Sequence, residues 1–455
     1  MQTIVIVGGG AGGLELATRL GDSMGKAGTA RIVLVDRWPA HFWKPLLHTV
    51  ASGKRDAQAA QIDYAAQACE HGFDFHRGEV LGVDRAARRI ALAPWLTDDG
   101  VEVLPARSLG YDKLVLALGS VTNFFGVPGA CEHVLTLDDV PQAEAFQQRF
   151  IDGCIQASAR NAAGAGLDAS LDASLDTGIY PGLDAGLDIV IVGGGATGVE
   201  LAAELSHSAR TLARYKVHAL DPVRNVRIRI LERGPLLLPH LHPRLSKRAA
   251  RHLRSLGITV CVDTTVERVE AHAVVDNEAR VFPSSITLWA AGVEAPAMCA
   301  TLGLSVNRLR QIAVGPSLQS MDDAAIYAIG DCASFVCPVK GTVPPRAQAA
   351  HQQAMFLAQT LAQTLAQTLA HGASTAAFAY RDYGSLVSLG PLAAVGVLAG
   401  TVGGRKFQVG GLLARWLYSL MYRKHLMALH GFARMAARTV ADWIGEKISP
   451  SVRLH

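Results

Sequence analysis

The sequence has few charged residues, few aromatic residues and no paired cysteines. Charged residues make up 18% of its 455 residues and aromatic residues 6%. The seven cysteines include no Cys-x-x-Cys pair and no zinc-ligand spacing, so the sequence predicts no metal site. An odd, scattered set of cysteines is typical of inert thiols in a reducing compartment. Half of the chain is apolar, which excludes a mainly disordered protein. A chain of 455 residues is too long for one ordinary core, and this length predicts two or three domains.

Acidic residues are missing between Asp382 and Asp442, in the C-terminal part of the chain. Seven cations fall in that stretch: Arg405, Lys406, Arg415, Arg423, Lys424, Arg434 and Arg438. The net charge of the chain is only +4 and no dense run of cations is present, so no nucleic-acid partner is expected. A basic, apolar tail favours an anionic membrane surface. Because the chain enters a strand without a charged leader, we expect the cytoplasmic face of the inner membrane.

Long hydrophobic runs are scarce. The uncharged stretch from Tyr383 to Gly404 is long enough to raise the question of a membrane-spanning helix. It is interrupted by six glycines and Pro391, and it is rich in valine. This pattern predicts a pair of short buried strands instead of a span.

A glycine turn near the N-terminus has the pattern of a dinucleotide-binding site. Gly8-x-Gly10-x-x-Gly13 follows an apolar strand at 3–7 and opens a helix, and the next strand ends at Asp36. In such a motif the first glycine makes the tight turn and the second admits a pyrophosphate. The third lets helix and strand pack closely, while the acid binds ribose hydroxyls. Strand, helix and acid together are much more specific than the glycines alone.

A second copy of this pattern lies in the middle of the chain. Gly193-x-Gly195-x-x-Gly198 follows another apolar strand, and Glu232 ends the strand after it. A carboxylate at this position accepts hydrogen bonds from free ribose hydroxyls and repels a 2′-phosphate, which predicts NADH in preference to NADPH. Two complete motifs predict an α/β fold with two Rossmann-like domains, each binding one dinucleotide.

Further motifs give the chain a specific resemblance. It resembles the type II NADH:quinone oxidoreductases over nearly its whole length. The stretches that carry the resemblance are 8–15 (GGGAGGLE), 43–48 (WKPLLH), 193–202 (GGGATGVELA), 328–333 (AIGDCA), 347–352 (AQAAHQ) and 384–390 (GSLVSLG). The resemblance implies hydride transfer from NADH to FAD, followed by two-electron reduction of a membrane quinone without proton pumping.

The resemblance also implies which residues bind the two dinucleotides. In such flavoproteins an Asp after a late strand, as in Gly330-Asp331, binds FAD. This assigns FAD to the first glycine turn. The alternative interpretation of Gly330-Asp331 is a plain turn that ends a strand. The candidate FAD-binding residues are Gly8, Gly10, Gly13, Asp36, Arg37, Lys44, Gly119, Gly330 and Asp331. The candidate NADH-binding residues are Gly193, Gly195, Thr197, Gly198, Glu232 and Gly292.

Four residues are candidates for the chemistry itself. By the resemblance, Gln348 and Gln352 line the quinone site with His351 near it. Two polar residues at i and i+4 share one helix face, although a pair of glutamines is by itself more typical of a solvated surface. The resemblance places Glu200 near the nicotinamide and flavin. Its alternative reading is an acid favoured by the positive end of a helix.

The predicted domains follow from these motifs. Residues 1–125 and 306–385 form the FAD-binding domain, residues 126–305 form the NADH-binding domain, and residues 386–455 form a membrane-association region. A Leu-Asp repeat at 164–188 predicts an exposed insert of unassigned role. The tail from Gly411 to Ile444 predicts one or two amphipathic helices. Their apolar face suits a lipid surface, and a homodimer contact is the competing use.

Two other functions fit parts of the sequence. A sulfide:quinone oxidoreductase has the same fold and needs a pair of cysteines at the flavin. Cys131, Cys154, Cys332 and Cys337 are the candidates by position. The complete second glycine motif with Glu232 argues against this function. A non-catalytic flavin-binding redox sensor is the third possibility, and the glutamine pair together with Glu200 argues against it.

Overall fold

The protein is described here from a computed structural model. The described residues are 1–97, 99–164, 186–216, 220–338, 341–368, 377–390, 393–399, 406–448 and 452–453. Most of the Leu-Asp repeat therefore lies outside the described residues.

The first domain is built on a five-stranded parallel sheet. Its central strand, Gln2–Val7, is buried on both faces, as expected for a continuous apolar run with helices on either side. The strand order across the sheet is Ile326–Ala328, Lys113–Leu116, Gln2–Val7, Ala30–Asp36 and Asp74–Arg77. An antiparallel sheet of Val80–Asp84, Arg89–Leu92 and Arg107–Gly110 completes this domain.

The second domain repeats this plan around a four-stranded parallel sheet. Its strand order is Thr259–Cys261, Val226–Leu231, Leu187–Val192 and Ile286–Trp289. A smaller antiparallel sheet contains Val266–Glu270, Ala273–Asp276 and Val281–Pro283. Each parallel sheet has its own buried apolar core, so the chain forms two independent hydrophobic layers. The predicted pair of Rossmann-like domains is confirmed.

The helices connect and cover these sheets. The first glycine helix is Ala11–Leu20, the second glycine helix is Ala196–Arg214, the basic helix is Pro243–Ser255, and the glutamine helix is Ala347–Thr368. Leu412–Ile448 forms the C-terminal helical segment. The remaining helices are Leu47–Ala51, Ala57–Ala60, Tyr64–His71, Ala130–His133, Val140–Gly164 and Pro222–Asn225, with short 3-10 or π turns at Gly21–Gly25, Lys44–Leu46, Ala297–Thr301 and Gly330–Cys332.

The chain returns to the first domain earlier than the boundary at 306 that the sequence suggested. Val293–Glu294 pairs with Val121–Thr122, and Ala295, Cys299 and Leu302 are buried in the core of the first domain. The short turn Ala297–Thr301 contacts the strand Val80–Asp84 in the antiparallel sheet of the first domain. We therefore place the return at about residue 293 in place of 306.

The C-terminal region begins with an antiparallel sheet of Gly384–Ser388, Ala394–Ala399 and Lys406–Gly410. The two short strands predicted in the uncharged stretch are therefore present. Gly431 has a positive φ of 75° and divides the C-terminal helical segment into two helices. The tail pattern leaves one or two helices open. No helix within the described ranges is both long and apolar enough to span a membrane.

Candidate active site

The three glycines of the first turn have the three environments that a dinucleotide requires. Gly8 has a φ of +100°, and a Cβ built on it would lie 2.3 Å from the carbonyl oxygen of Ala117. A Cβ on Gly13 would lie 1.8 Å from the carbonyl oxygen of Gly8. A Cβ on Gly10 would meet no atom within 4 Å, so the space above the helix N-terminus is open. This is the geometry that admits a pyrophosphate.

Asp36 is tied to the first turn by its carboxylate. One oxygen accepts a hydrogen bond from the backbone N–H of Gly9 at 2.6 Å and the other from that of Trp38 at 2.8 Å. Burial raises the pKa of Asp36. Tyr64, which the sequence did not identify, donates a hydrogen bond to the Gly9 carbonyl at 2.8 Å. The acid and the turn therefore form one rigid unit.

A buried histidine pair joins the same turn to the C-terminal helical segment. His41 Nδ1 lies 2.9 Å from the carbonyl oxygen of Gly9, and its Nε2 lies 3.0 Å from Nε2 of His425. Since a carbonyl can only accept, His41 donates through Nδ1 and accepts from His425 through Nε2. Burial lowers the pKa of His41 to about 4 and also lowers that of His425. Both rings are neutral at pH 7, which is the state that this hydrogen bond needs.

The second turn repeats the geometry of the first. Gly193 has a φ of +113°, and a Cβ on Gly198 would lie 2.1 Å from the carbonyl oxygen of Gly193. A Cβ on Gly195 would again meet no atom within 4 Å. Glu232 accepts hydrogen bonds from the backbone N–H groups of Gly194 and Gly234, each at 2.7 Å. The two turns are therefore equivalent binding frames.

Residues distant in sequence meet at the edge of the first sheet. The Ser120 hydroxyl donates to Asp331 at 2.8 Å, and Lys44 Nζ donates to the Ser120 carbonyl at 2.8 Å and to Asp138 at 3.2 Å. Gly330 N donates to the side chain of Gln353 at 2.7 Å. Burial raises the pKa of Asp331. Of these residues the sequence identified Lys44 and the Gly330-Asp331 pair.

The other candidate dinucleotide residues are less constrained. Gly119 has a φ of +69° and open space around it. Arg37 is half exposed and lies 3.5 Å from Asp139, and Thr197 is exposed in the first turn of the second glycine helix. A Cβ on Gly292 would lie 2.7 Å from the ring of Phe125.

Glu200 is buried in the second glycine helix, with 5% of its surface exposed. Its Oε1 accepts a hydrogen bond from the Ser388 backbone at 2.9 Å, and the Tyr418 hydroxyl also hydrogen-bonds to the carboxyl. Burial nevertheless raises the pKa of Glu200 to about 8. Burial lowers the pKa of His48, whose Nδ1 is 3.6 Å from Glu200 Oε2, to about 4. Both groups are therefore neutral at pH 7, and their contact is not an ion pair.

Gln348 and Gln352 share one face of the glutamine helix, as the spacing predicted. Gln348 donates to the Tyr380 hydroxyl at 2.6 Å and to Asp382 at 3.2 Å. Gln352 donates to the Arg381 carbonyl at 2.8 Å and accepts from the Arg381 N–H at 2.9 Å. Both side chains thus converge on the segment at 380–382.

His351 borders a cavity beside the glutamine helix. Its Nδ1 lies 2.6 Å from Glu15, which is fully buried and also pairs with Arg19 at 2.8 Å. The cavity has a volume of about 810 Å³ and lies between the glutamine helix and the C-terminal helical segment. Its lining includes His351, Gln352, Met355, Phe356, Tyr383, Lys424 and Met427.

Glu200 and the glutamine pair are connected by one strand. Asp382, which binds Gln348, also accepts a hydrogen bond from Gly384 N at 2.9 Å, where the strand Gly384–Ser388 begins. The strand ends at Ser388, which binds Glu200. At about 3.3 Å per residue the two ends are roughly 13 Å apart. The structure therefore places the two groups at opposite ends of the strand.

The cysteines do not form a reactive pair. All seven are among the described residues, and none of them is in a disulfide. Burial raises the pKa of Cys154 to about 12, and it also raises that of Cys332. A thiol with a raised pKa is a poor nucleophile because the thiolate is the reactive form. Cys154 and Cys332, two of the four candidates for sulfide chemistry, are therefore poor nucleophiles.

Comparison with known proteins identifies the family. A family model described as pyridine nucleotide-disulphide oxidoreductase matches residues 2–354, which is most of the chain. The fold with two dinucleotide-binding frames and this match define the protein as a member of that family.

Individual relatives narrow the assignment. A Haemophilus influenzae protein named type II NADH:quinone oxidoreductase is 35% identical over 456 residues, with 100% of each chain covered. The structure of NDH2 from Plasmodium falciparum in complex with NADH has the same fold, with a TM-score of 0.77 at 17% identity, covering 99% of this chain and 100% of that chain. The protein belongs to the type II NADH:quinone oxidoreductases, and the resemblance predicted from the sequence is confirmed.

The fold alone does not distinguish related quinone reductases. The sulfide:quinone oxidoreductase of Aquifex aeolicus has a TM-score of 0.66 at 16% identity, covering 98% of this chain and 95% of that chain. That likeness is one of fold. The complete second glycine turn and the buried thiols of Cys154 and Cys332 argue against the sulfide activity in this chain.

Proposed function

We propose that the chain binds FAD at the first glycine turn and NADH at the second, and that it passes two electrons to a membrane quinone without pumping protons. The observation that carries this proposal is the pair of equivalent frames. In both, the second glycine is open to solvent and an acid is locked to the turn. When bound, FAD accepts reducing equivalents from NADH and supplies them to the quinone.

The residues around Ser120 fit a role in holding the flavin. Lys44 and the half-buried pair of Ser120 with Asp331 offer a cation, a hydroxyl and a carboxyl at the sheet edge, where dinucleotides bind in α/β folds. Asp331 is half-buried, and Ser120 is the one side-chain donor that it has within the described residues. A ribityl hydroxyl would give it a second donor. In this proposal Asp331 accepts that hydrogen bond and Lys44 faces the phosphates.

The carboxylate of Glu232 sets the choice of dinucleotide. We expect Glu232→Gln to reduce the preference for NADH over NADPH at least about tenfold, because the variant keeps the shape but loses the charge that repels a 2′-phosphate. Arg233 is adjacent and then has no carboxylate opposing it. The measurement is the ratio of kcat/KM for the two dinucleotides. An unchanged ratio would show that Glu232 does not read the 2′ position.

The cavity beside Gln352 fits a route for quinone. Its volume of about 810 Å³ is within the range of small-molecule sites. It opens between the glutamine helix and the C-terminal helical segment, so a quinone can reach it from the side that carries the exposed apolar residues. In this proposal Gln348 and Gln352 hold the segment at 380–382 in place beside the quinone head, and His351 borders its path.

The exposed apolar residues of the C-terminal region fit a membrane surface. The most exposed are Phe407, Leu412, Leu413, Trp416, Phe432, Val440 and Trp443, at 56–72% of their surface. Arg415, Arg423 and Lys424 lie among them. Such a face inserts apolar side chains at the acyl boundary while its cations stay among anionic headgroups. We propose that the protein is peripheral and lies on the cytoplasmic face of the membrane, where anionic lipids attract basic segments.

A matched pair of leucines tests this membrane face. Leu413 and Leu81 are exposed to 59% and 60%, and Leu81 lies on the small sheet of the first domain. We expect Leu413→Ser to weaken vesicle binding about tenfold, since burying one leucine contributes roughly 1.5–3 kcal/mol. Leu81→Ser leaves binding unchanged. If the Leu413 variant binds vesicles normally but loses self-association in detergent, the face serves a homodimer.

Activity tests the function as a whole. Purified protein should contain one FAD per chain. NADH alone should reduce this flavin once, and continuous oxidation of NADH should require a short-chain quinone. Flavin that stays oxidised with excess NADH would favour a redox sensor and contradict the proposed function. Reduction by sulfide in place of NADH would favour the sulfide enzyme.

A further inference from the structure

The basic helix of the NADH-binding domain, Pro243–Ser255, carries a one-sided stripe of cations. Arg244, Lys247, Arg248, Arg251 and Arg254 are all exposed. Their spacing places them on one face, opposite the buried residues Leu245, Ala249 and Leu253. We name these five cations the basic face.

The basic face has no counter-charge within the part of the chain that the structure describes. None of its five cations forms an ion pair there, and no acidic residue occurs between Glu232 and Asp263. Like charges at i, i+3 and i+4 repel each other and destabilise a helix. A helix that keeps five such charges without compensation is suited to an external anionic surface.

The basic face continues into the proposed membrane face. His252 Nε2 lies 3.0 Å from the Leu389 carbonyl, so the helix packs against the C-terminal sheet. A Cβ built on Gly410 would lie 2.9 Å from Arg248 Nη1. Two residues further along the chain the exposed leucines Leu412 and Leu413 begin. Cations next to exposed apolar residues match the layered chemistry of a bilayer surface.

We infer that the basic face is a second membrane contact, through which the NADH-binding domain binds anionic lipid headgroups. This inference rests on the proposed peripheral membrane location and adds an electrostatic contact from a different domain. It predicts that binding depends on both lipid charge and ionic strength, because exposed charges are screened by salt. It also predicts that the NADH-binding domain is held close to the lipid surface.

The test compares two triple variants of the full FAD-loaded chain that lose the same charge. Arg244→Gln/Arg248→Gln/Arg251→Gln alters the basic face. Arg88→Gln/Arg89→Gln/Arg308→Gln removes three exposed cations from the first domain. Binding is measured on phosphatidylcholine vesicles with and without phosphatidylglycerol, at rising potassium chloride. Each cation near an anionic surface contributes about a factor of five.

We expect the basic-face variant to bind phosphatidylglycerol vesicles about 10- to 100-fold more weakly than wild type. The control variant should change binding much less, and on pure phosphatidylcholine both should match wild type. Equal losses in the two variants would overturn the inference, because net charge alone would explain them. Unchanged vesicle binding with a raised KM for NADH, or with lost binding of a DNA duplex, would also overturn it.

A separate readout keeps this test apart from the proposed function. The rate of NADH oxidation with a short-chain quinone in detergent should be the same for wild type and both variants. If wild type does not oxidise NADH with this quinone, the proposed function is contradicted. If only the basic-face variant loses vesicle binding while all three proteins keep this rate, the second membrane contact is supported.

Discussion

Gly195→Val is expected to lower the rate of flavin reduction by NADH at least about a hundredfold while the FAD content stays at the wild-type level. The structure makes this position informative because a Cβ there meets no protein atom within 4 Å. The valine side chain therefore fits the free protein and occupies only the space that a pyrophosphate needs. Displacement of a bound dinucleotide by about 1 Å is enough for a hundredfold loss of rate.

Gly10→Val is the reciprocal variant. Gly10 has the same open environment in the first turn, so the expected loss is of FAD and not of NADH binding. Gly82→Val serves as the control, since a Cβ on Gly82 is also unobstructed but lies outside both turns. Substitution of Gly13 or Gly198 is less informative, because a Cβ there strikes the backbone and disturbs the fold itself.

These variants are examined by FAD content, thermal melting and stopped-flow reduction. Melting temperatures close to wild type are expected for all three apoproteins. If Gly195→Val lost FAD and Gly10→Val retained it, the assignment of the two turns would be reversed. If neither variant affected a dinucleotide, the open positions would not be binding positions.

The second large effect is expected for Glu200→Gln. A carboxyl with a pKa of about 8 holds its proton at neutral pH and can release it when a proton is needed. Reduction of a quinone consumes protons, so we propose that Glu200 holds one of them at its carboxyl oxygen. The kcat of the glutamine variant should be about ten- to a hundredfold lower than that of wild type. Loss of a general acid usually lowers a rate by about a hundredfold or more, so this is a modest effect. The wild-type rate should fall as pH rises through about 8, and the variant should lack this decline.

Stability gives an independent measure of the same proton. The ordinary pKa of glutamate is 4.5, and burial raises that of Glu200 to about 8. Between these values the folded chain keeps a proton that the unfolded chain releases. The contribution of Glu200 to the free energy of unfolding is therefore full below pH 4.5 and is lost as pH rises through about 8. Glu200→Gln should melt higher than wild type at pH 9 and show a smaller difference at pH 5.

The pH dependence of the Glu200→Gln variant can also contradict the proposed proton-holding role. A variant that loses rate by the same factor at every pH would indicate a positioning role only. Tyr418→Phe is the matched control, because it removes one hydrogen bond to the carboxyl and leaves the carboxyl in place. Since that bond lowers the pKa of Glu200, its removal should move the decline in rate to higher pH.

The local motifs could be predicted from the sequence, whereas their partners could not. In each dinucleotide motif, around Gly8 and around Gly193, the strand, the turn and the acid lie within about forty residues of one another. The structure gives each glycine the geometry that its position in the motif predicts. Asp331 and Ser120 are separated by 211 positions, and Glu200 and Ser388 by 188. No periodicity in the sequence reports such pairs, because tertiary packing alone brings them together.

The glutamine helix shows the same limit. The i, i+4 spacing predicted that Gln348 and Gln352 share a face, and they do. It gave no sign that this face binds the segment at 380–382. The histidine pair of His41 and His425 was likewise missed, since its members are 384 positions apart and each resembles an ordinary core residue alone. The basic helix Pro243–Ser255 was also missed, because only the cations of the C-terminal tail were singled out, and its position beside the C-terminal sheet depends on tertiary packing.

The central claim is that electrons pass from NADH through the flavin to a quinone, and one anaerobic experiment tests it directly. Flavin absorbance of the FAD-loaded protein is followed by stopped flow after addition of NADH, and a short-chain quinone is added once the signal is steady. We predict rapid loss of the oxidised-flavin absorbance with NADH, slow loss with NADPH, and full recovery on addition of quinone. Flavin that remains oxidised with NADH, or that is reduced but not reoxidised by quinone, would contradict the account.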